Sequence, residues 1–110
     1  MTNVAVIGSG TMGNGIAHVF AQYDYKVSLI DISEGALSKA LSTIQRNLTR
    51  QVEKEVITAD IKDRALENIK TSTSMETGLI DTELIVEAAT ENINLKLKIL
   101  FNMLSLESLF

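Results

Sequence analysis

Val4-Ala5-Val6-Ile7-Gly8-Ser9-Gly10-Thr11-Met12-Gly13-Asn14-Gly15-Ile16-Ala17 is the stretch on which the reading of this chain turns. A short apolar run enters a turn with glycines at 8, 10 and 13, and the residues beyond it suit a helix. A second apolar run, Val27-Ser28-Leu29-Ile30, ends in Asp31, eighteen residues past Gly13. Strand, glycine turn, helix, strand and acid, in that order, make the pattern of a unit that binds a dinucleotide. Glycine turns alone are common. The flanking elements and the distal acid carry the assignment.

The spacing has physical reasons. Gly8 turns the chain sharply off the strand, in a conformation that a Cβ disfavours. Gly10 lets backbone N–H groups come close to a pyrophosphate, and Gly13 lets the helix lie against the strand. Ala17 extends that small-residue face one turn on, and Gly15 is expected to join it. The helix start aims unpaired N–H groups and a partial positive charge at the phosphates. Asp31, at the end of the second strand, accepts hydrogen bonds from a ribose diol. A 2′-phosphate would meet that carboxylate, and Ile32-Ser33 brings no cation to offset it. NAD is therefore expected rather than NADP.

Working outward, 110 residues are enough for one domain with a modest core. A net charge of −4 and a pI near 4.9 argue against nucleic acid or an anionic membrane as the main partner. There are no cysteines, hence no disulfide framework and no thiolate metal site. No basic-then-apolar leader precedes Val4, and no apolar run is long enough to span a bilayer, so a soluble, cytoplasmic protein is expected. No repeat, linker or low-complexity tract interrupts the chain.

Periodicity predicts an α/β alternation. The first strand covers Asn3 to Ile7 and the first helix Thr11 to Tyr23. Asp24 falls where a left-handed residue often ends a helix, a place that suits glycine better, so Asp24→Gly is expected to stabilise the fold. A second strand, Lys26 to Ile30, precedes a long helix from Glu34 to Lys54 with Leu37, Leu41, Ile44, Leu48 and Val52 in one stripe. Thr58-Ala59-Asp60 starts a shorter helix carrying Ile61, Ala65, Leu66 and Ile69, with a hydroxyl cap. Lys70 to Thr73 is a weak third strand. Leu84-Ile85-Val86 is continuously apolar, as a buried parallel strand requires. From Asn92 to Leu106 two patterns compete. Ile93 to Ile99 alternates like a strand, while Ile93, Leu97, Leu100, Phe101 and Leu104 form a helical stripe, and length favours helix.

These residues resemble a known family. The glycine loop with Gly10-Thr11-Met12-Gly13, then Asp31, then Leu84-Ile85-Val86-Glu87-Ala88-Ala89-Thr90-Glu91-Asn92 look like the NAD-binding domain of 3-hydroxyacyl-CoA dehydrogenases, with the 3-hydroxybutyryl-CoA branch most similar. The likeness covers nearly the whole chain, and the Glu-Ala-Ala-Thr-Glu-Asn string is its most specific part. It implies a Rossmann-type doubly wound parallel sheet and an oxidoreductase of fatty-acid or butanoate metabolism that uses NAD and acyl-CoA substrates. By the same likeness the cofactor is positioned by Gly8, Ser9, Gly10, Thr11, Met12 and Gly13, by Asp31, and by Glu91 and Lys96 beyond the fourth strand. Coenzyme A contacts map to Asn47 and Lys54 on the long helix. At 100° per residue Asn47, Arg50 and Lys54 share one side of that helix, away from the apolar stripe, with Lys39 and Arg46 nearby. Any solvated helix face shows such a row of cations, so this geometry also fits a plain surface.

The family's catalysis needs a histidine base paired with a carboxylate, together with serine and asparagine groups that hold the acyl carbonyl. The resemblance puts these after a fifth strand, beyond Phe110, so no catalytic residue is expected here. His18, the one histidine, lies within the first helix and reads as an ordinary helix position. The chain is thus expected to be an incomplete NAD-binding domain over residues 1–110, ending after the fourth strand and its following helix and inactive by itself. On that reading the Leu84–Val86 edge would stand open, with Phe101, Met103, Leu104, Leu106 and Phe110 partly exposed, favouring a homo-oligomer or association through the edge. Three other readings exist. A non-catalytic nucleotide-binding module would keep the loop and Asp31 without turnover. A related β-hydroxyacid dehydrogenase also uses a Gly-x-Gly-x-Met-Gly-like turn, but its NADP-using members carry a cation just after the second strand, where Ile32-Ser33 stands. An FAD-binding unit suits the glycines but gives Glu91-Asn92 no role.

Overall fold

A computed structural model of the chain describes residues 3–88 and 96–99. In chain order the elements are β1 (Asn3–Ile7), α1 (Thr11–Gln22), β2 (Lys26–Ile30), α2 (Glu34–Glu53), α3 (Ala59–Glu67), β3 (Ile69–Ser72), α4 (Met75–Gly78), β4 (Leu84–Glu87) and β5 (Lys96–Ile99). The strands form one sheet in the order β3-β2-β1-β4-β5. β3, β2, β1 and β4 run parallel, while β5 is antiparallel to β4. This is the expected Rossmann-type sheet through its fourth strand.

Alternation along the strands places the core. Val4 stands opposite Val27 and Leu84, and Val6 opposite Leu29 and Val86. In-register partners point to the same face, so these six side chains form one apolar layer. Leu37, Ala40, Ile44 and Leu48 of α2 close over it with Ala17 and Ala21 of α1. Leu29, Ile44, Leu48 and Leu84 are completely buried, and each such side chain contributes roughly 1.5–3 kcal/mol. Leu41 and Val52, predicted for the same stripe, pack at its margin.

Helix starts follow hydroxyl chemistry. Thr58 Oγ1 accepts the Ile61 N–H at 3.2 Å, as its position predicted. Ser33 Oγ accepts from Ala36 at 3.1 Å and Ser74 Oγ from Thr77 at 3.3 Å. Only α1, among these, lacks a side-chain cap. Asp24 is left-handed, with φ 70°, and its carboxylate has a partner that the sequence did not reveal. Buried Asn68 donates through Nδ2 to the Ala21 carbonyl and to Asp24 Oδ1, both at 3.1 Å.

Four expectations are corrected. Ile69 begins β3 instead of ending α3, because pairing with Val27 outweighs its place in the helical stripe. Gly15 adds nothing to the small-residue face: it is exposed, and a Cβ there would meet open space. Lys96–Ile99 is a strand rather than part of a helix, since pairing with β4 satisfies its backbone where an isolated helix would gain only one packed face. That pairing also covers the β4 edge expected to stand open, from Leu84↔Ile99 to Glu87↔Lys96. Among the described residues the sheet's outer strands are instead β3 and β5. α4 went unforeseen, being only one turn long. Exposure of Phe101, Met103, Leu104, Leu106 and Phe110 lies outside the described residues.

Candidate functional site

Backbone hydrogen bonds bring the carboxyl ends of β1, β2, β3 and β4 level with one another. The Gly8 N–H donates to the Ile30 carbonyl at 2.7 Å, Ala88 to Ile7 at 2.7 Å, and Asp31 to Ser72 at 3.2 Å. Outside these ends lies a cleft of about 980 Å³. In open parallel sheets this is where ligands bind. Its floor is Gly8-Ser9-Gly10-Thr11-Met12; Asp31, Ile32, Ala36, Thr73 and Met75 line it on the β2–β3 side and Ala88 on the β4 side.

The glycine loop is built as its spacing predicted. Gly8 has φ 100°. A Cβ on Gly13 would overlap the carbonyl of Gly8, so only glycine permits this approach of α1 to the end of β1. A Cβ on Gly10, in contrast, would meet nothing within 4 Å. Gly10 is the N-cap of α1, and its carbonyl accepts the Asn14 N–H at 2.8 Å. The amides ahead of Asn14 have no intrahelical acceptor, and with no side-chain cap they form a ready anion cradle at the positive end of the helix.

Asp31 is tied to this loop. Its Oδ2 accepts the Ser9 N–H at 2.9 Å and the Ser9 hydroxyl at 2.8 Å, and its Oδ1 accepts the Ser33 N–H at 3.0 Å. The Ser9 backbone N–H does most to hold the carboxyl below its ordinary value of 3.8, followed by the Ser33 N–H. Burial works against them, and the Ser9 hydroxyl and Ile32 backbone add smaller downward pulls. The acid is therefore ionised at neutral pH. Because the Ser9 amide points at Asp31, the unpaired amides of this turn are those that follow it.

The other predicted residues lie elsewhere. Asn47 is half-buried on α2 and Lys54 is its exposed C-cap; neither lines the cleft. Glu91 lies outside the described residues. Lys96 is in register with Glu87 in β5. His18 is buried between α1 and α2, with Nε2 at 2.9 Å from both Gln22 Oε1 and Gln51 Oε1. No carboxylate pairs with it among the described residues, in keeping with a structural position.

Sequence reading missed the cleft's apolar and hydroxyl walls. Ile32, 94% exposed, entered the argument only as an absent cation. Ala36 and Met75 did not enter at all, and Thr73 entered only as the end of the third strand, although Ile32 and Thr73 each follow a strand end closely. The rule that ligands sit beyond strand carboxyl ends would have flagged both.

Comparison with known proteins agrees with this geometry. Residues 3–107 match the family described as 3-hydroxyacyl-CoA dehydrogenase, NAD binding domain. The chain is 44% identical over 96 residues to a 3-hydroxybutyryl-CoA dehydrogenase of Bradyrhizobium diazoefficiens, covering 87% of this chain and 32% of that protein. It is 41% identical over 102 residues to the 3-hydroxyadipyl-CoA dehydrogenase of Escherichia coli, covering 93% and 21% respectively. Among solved structures, an (S)-3-hydroxybutyryl-CoA dehydrogenase from Ralstonia eutropha superposes with a TM-score of 0.78 at 42% identity, over 84% of this chain and 32% of that one. The chain thus spans about a third of the length of the first of these relatives.

Proposed function

Because the chain belongs to the 3-hydroxyacyl-CoA dehydrogenase family through that family's NAD-binding domain, we propose that its cleft holds the adenosine and pyrophosphate end of NAD. The protein then acts as an oxidoreductase that interconverts 3-hydroxyacyl-CoA and 3-oxoacyl-CoA. NAD supplies the hydride acceptor or donor for that reaction. One observation carries the reading: the uncapped start of α1 and an ionised acid just past the end of β2 border the same cleft.

The residues divide the work. The amides from Gly10 through Gly13 receive the pyrophosphate, and open space over Gly10 admits it. Asp31 accepts a ribose hydroxyl. Ile32 and Met75, both largely exposed on the cleft walls, offer apolar surface to the adenine. Glu91 and Lys96 add contacts to the cofactor. Asn47 and Lys54 meet the phosphates of the coenzyme A nucleotide, outside the cleft. His18 is not the base that moves the substrate proton, because it lies in the helix layer, away from the cleft. The protein works in the cytoplasm as a homo-oligomer.

Calorimetric titration of the chain with NAD and with acetoacetyl-CoA tests this. The expected result is NAD binding that weakens in Asp31→Ala. Tight binding of acetoacetyl-CoA with no binding of NAD would overturn the assignment.

A further inference from the structure

Ser9 occupies a position that the glycine pattern leaves free, yet it is 4% exposed and both of its donors go to one atom, Asp31 Oδ2. An ionised carboxylate offers roughly four lone-pair sites. Ser9 N–H and Ser9 Oγ–H fill Oδ2, so a ribose hydroxyl is met through Oδ1, which also accepts the Ser33 N–H. The acid therefore meets the cofactor in one orientation and through one oxygen. No Lys or Arg lines the cleft among the described residues. Selection against a 2′-phosphate then falls on where Asp31 stands and whether it is charged.

We infer that Ser9 is a specificity-determining residue of this cleft, its hydroxyl fixing the Asp31 carboxylate so that it favours a free ribose diol over a 2′-phosphorylated one. The inference rests on the proposed binding of NAD. Charge-assisted O–H···O⁻ bonds are short and strong, and this one crosses from the β1–α1 loop to the end of β2. Without it the carboxylate keeps the Ser9 amide on Oδ2 and the Ser33 amide on Oδ1, two donors instead of three, and turns from the ribose more readily. A free diol then loses its acceptor, whereas a 2′-phosphate loses the charge that repels it. The lowered pKa of Asp31 is consistent with this, because donors on both oxygens favour the anion.

The test is a double-mutant cycle on the full chain. Wild type, Ser9→Ala, Asp31→Asn and the double variant are each titrated calorimetrically with NAD and NADP, with thermal melts alongside. Ser9→Ala is expected to weaken NAD about threefold to tenfold and to reduce the preference for NAD over NADP about tenfold. In the Asp31→Asn background the same change should alter the preference by less than about twofold, because the hydroxyl then has no anion to hold. Where the alanine variant does not fold, Ser9→Gly removes the same Oγ with no added bulk and gives the same readout. A preference unchanged in Ser9→Ala or Ser9→Gly, with NAD still bound, overturns the role of Ser9 and leaves the NAD site standing. An equal loss with and without the Asp31 carboxylate also overturns it. A wild-type chain that binds no NAD overturns both.

Discussion

The carbonyl of Gly8 fills the space that a side chain on Gly13 would need, its carbon 2.8 Å from the place of a Cβ and its oxygen closer still. Two glycines five residues apart thus set the distance between β1 and α1. Gly8 turns at φ 100°, and Gly13 lets the helix start over that turn. The cradle of unpaired amides exists because of this contact.

Gly13→Ala and Gly10→Ala should therefore fail differently. Since the Gly8 backbone has no room to yield, the first is expected to cost at least about 3 kcal/mol of stability. Gly10 faces open space; alanine there should cost no more than about 1 kcal/mol, as a poorer N-cap residue, and weaken NAD on the order of tenfold by crowding the pyrophosphate. Denaturant titration and calorimetry separate the two outcomes.

Asp24 and Asn68 alter an expectation made from sequence. Glycine at 24 relieves the left-handed backbone by up to about 1 kcal/mol. It also removes the Asp24 acceptor for Asn68, and a hydrogen bond with a charged partner contributes roughly 1.5–3 kcal/mol when buried and less at this exposed position. No gain is now expected from Asp24→Gly. Asp24→Asn keeps an acceptor oxygen, tolerates the left-handed conformation and removes a negative charge from the end of α1. It should change stability by less than about 0.5 kcal/mol in urea unfolding, because relief at the helix end offsets the weaker neutral hydrogen bond to Asn68.

Glu55 is the cleaner site for glycine. It is exposed just beyond α2 with φ 59°, and its backbone N–H already donates to Val52. Glu55→Gly should raise stability by about 0.5–1 kcal/mol, because it removes backbone strain and a misplaced charge together. A lowered midpoint in thermal unfolding would contradict this.

Asp31 predicts the sign of an acid effect. Its folded pKa lies below the ordinary 3.8, so its contribution is complete above that value and is lost as pH falls through the folded pKa. Stability measured from pH 5 downward should fall more steeply in wild type than in Asp31→Asn, and the two slopes should agree above pH 5. Equal slopes below pH 4 would show that the carboxylate bonds do not survive in solution.

Sequence alone determined the elements whose causes are local. β1 and β2 run over the residues that periodicity predicted, Thr58 caps its helix, and the α2 stripe forms the core. The glycine spacing and Asp31 were legible for the same reason: each answers to a backbone angle, a contact within one turn or the end of one strand. Tertiary structure decided what depends on partners distant in the chain. Ile69 joined a strand because Val27 lies beside it, and Lys96–Ile99 paired with β4 although its spacing also suits a helix. Asp24 found Asn68 across 44 residues, and Ser9 found Asp31 across 22. Hydrophobic period and turn chemistry record which face a residue turns inward. They carry no record of which polar atom it will meet there, because that depends on how the strands are ordered side by side.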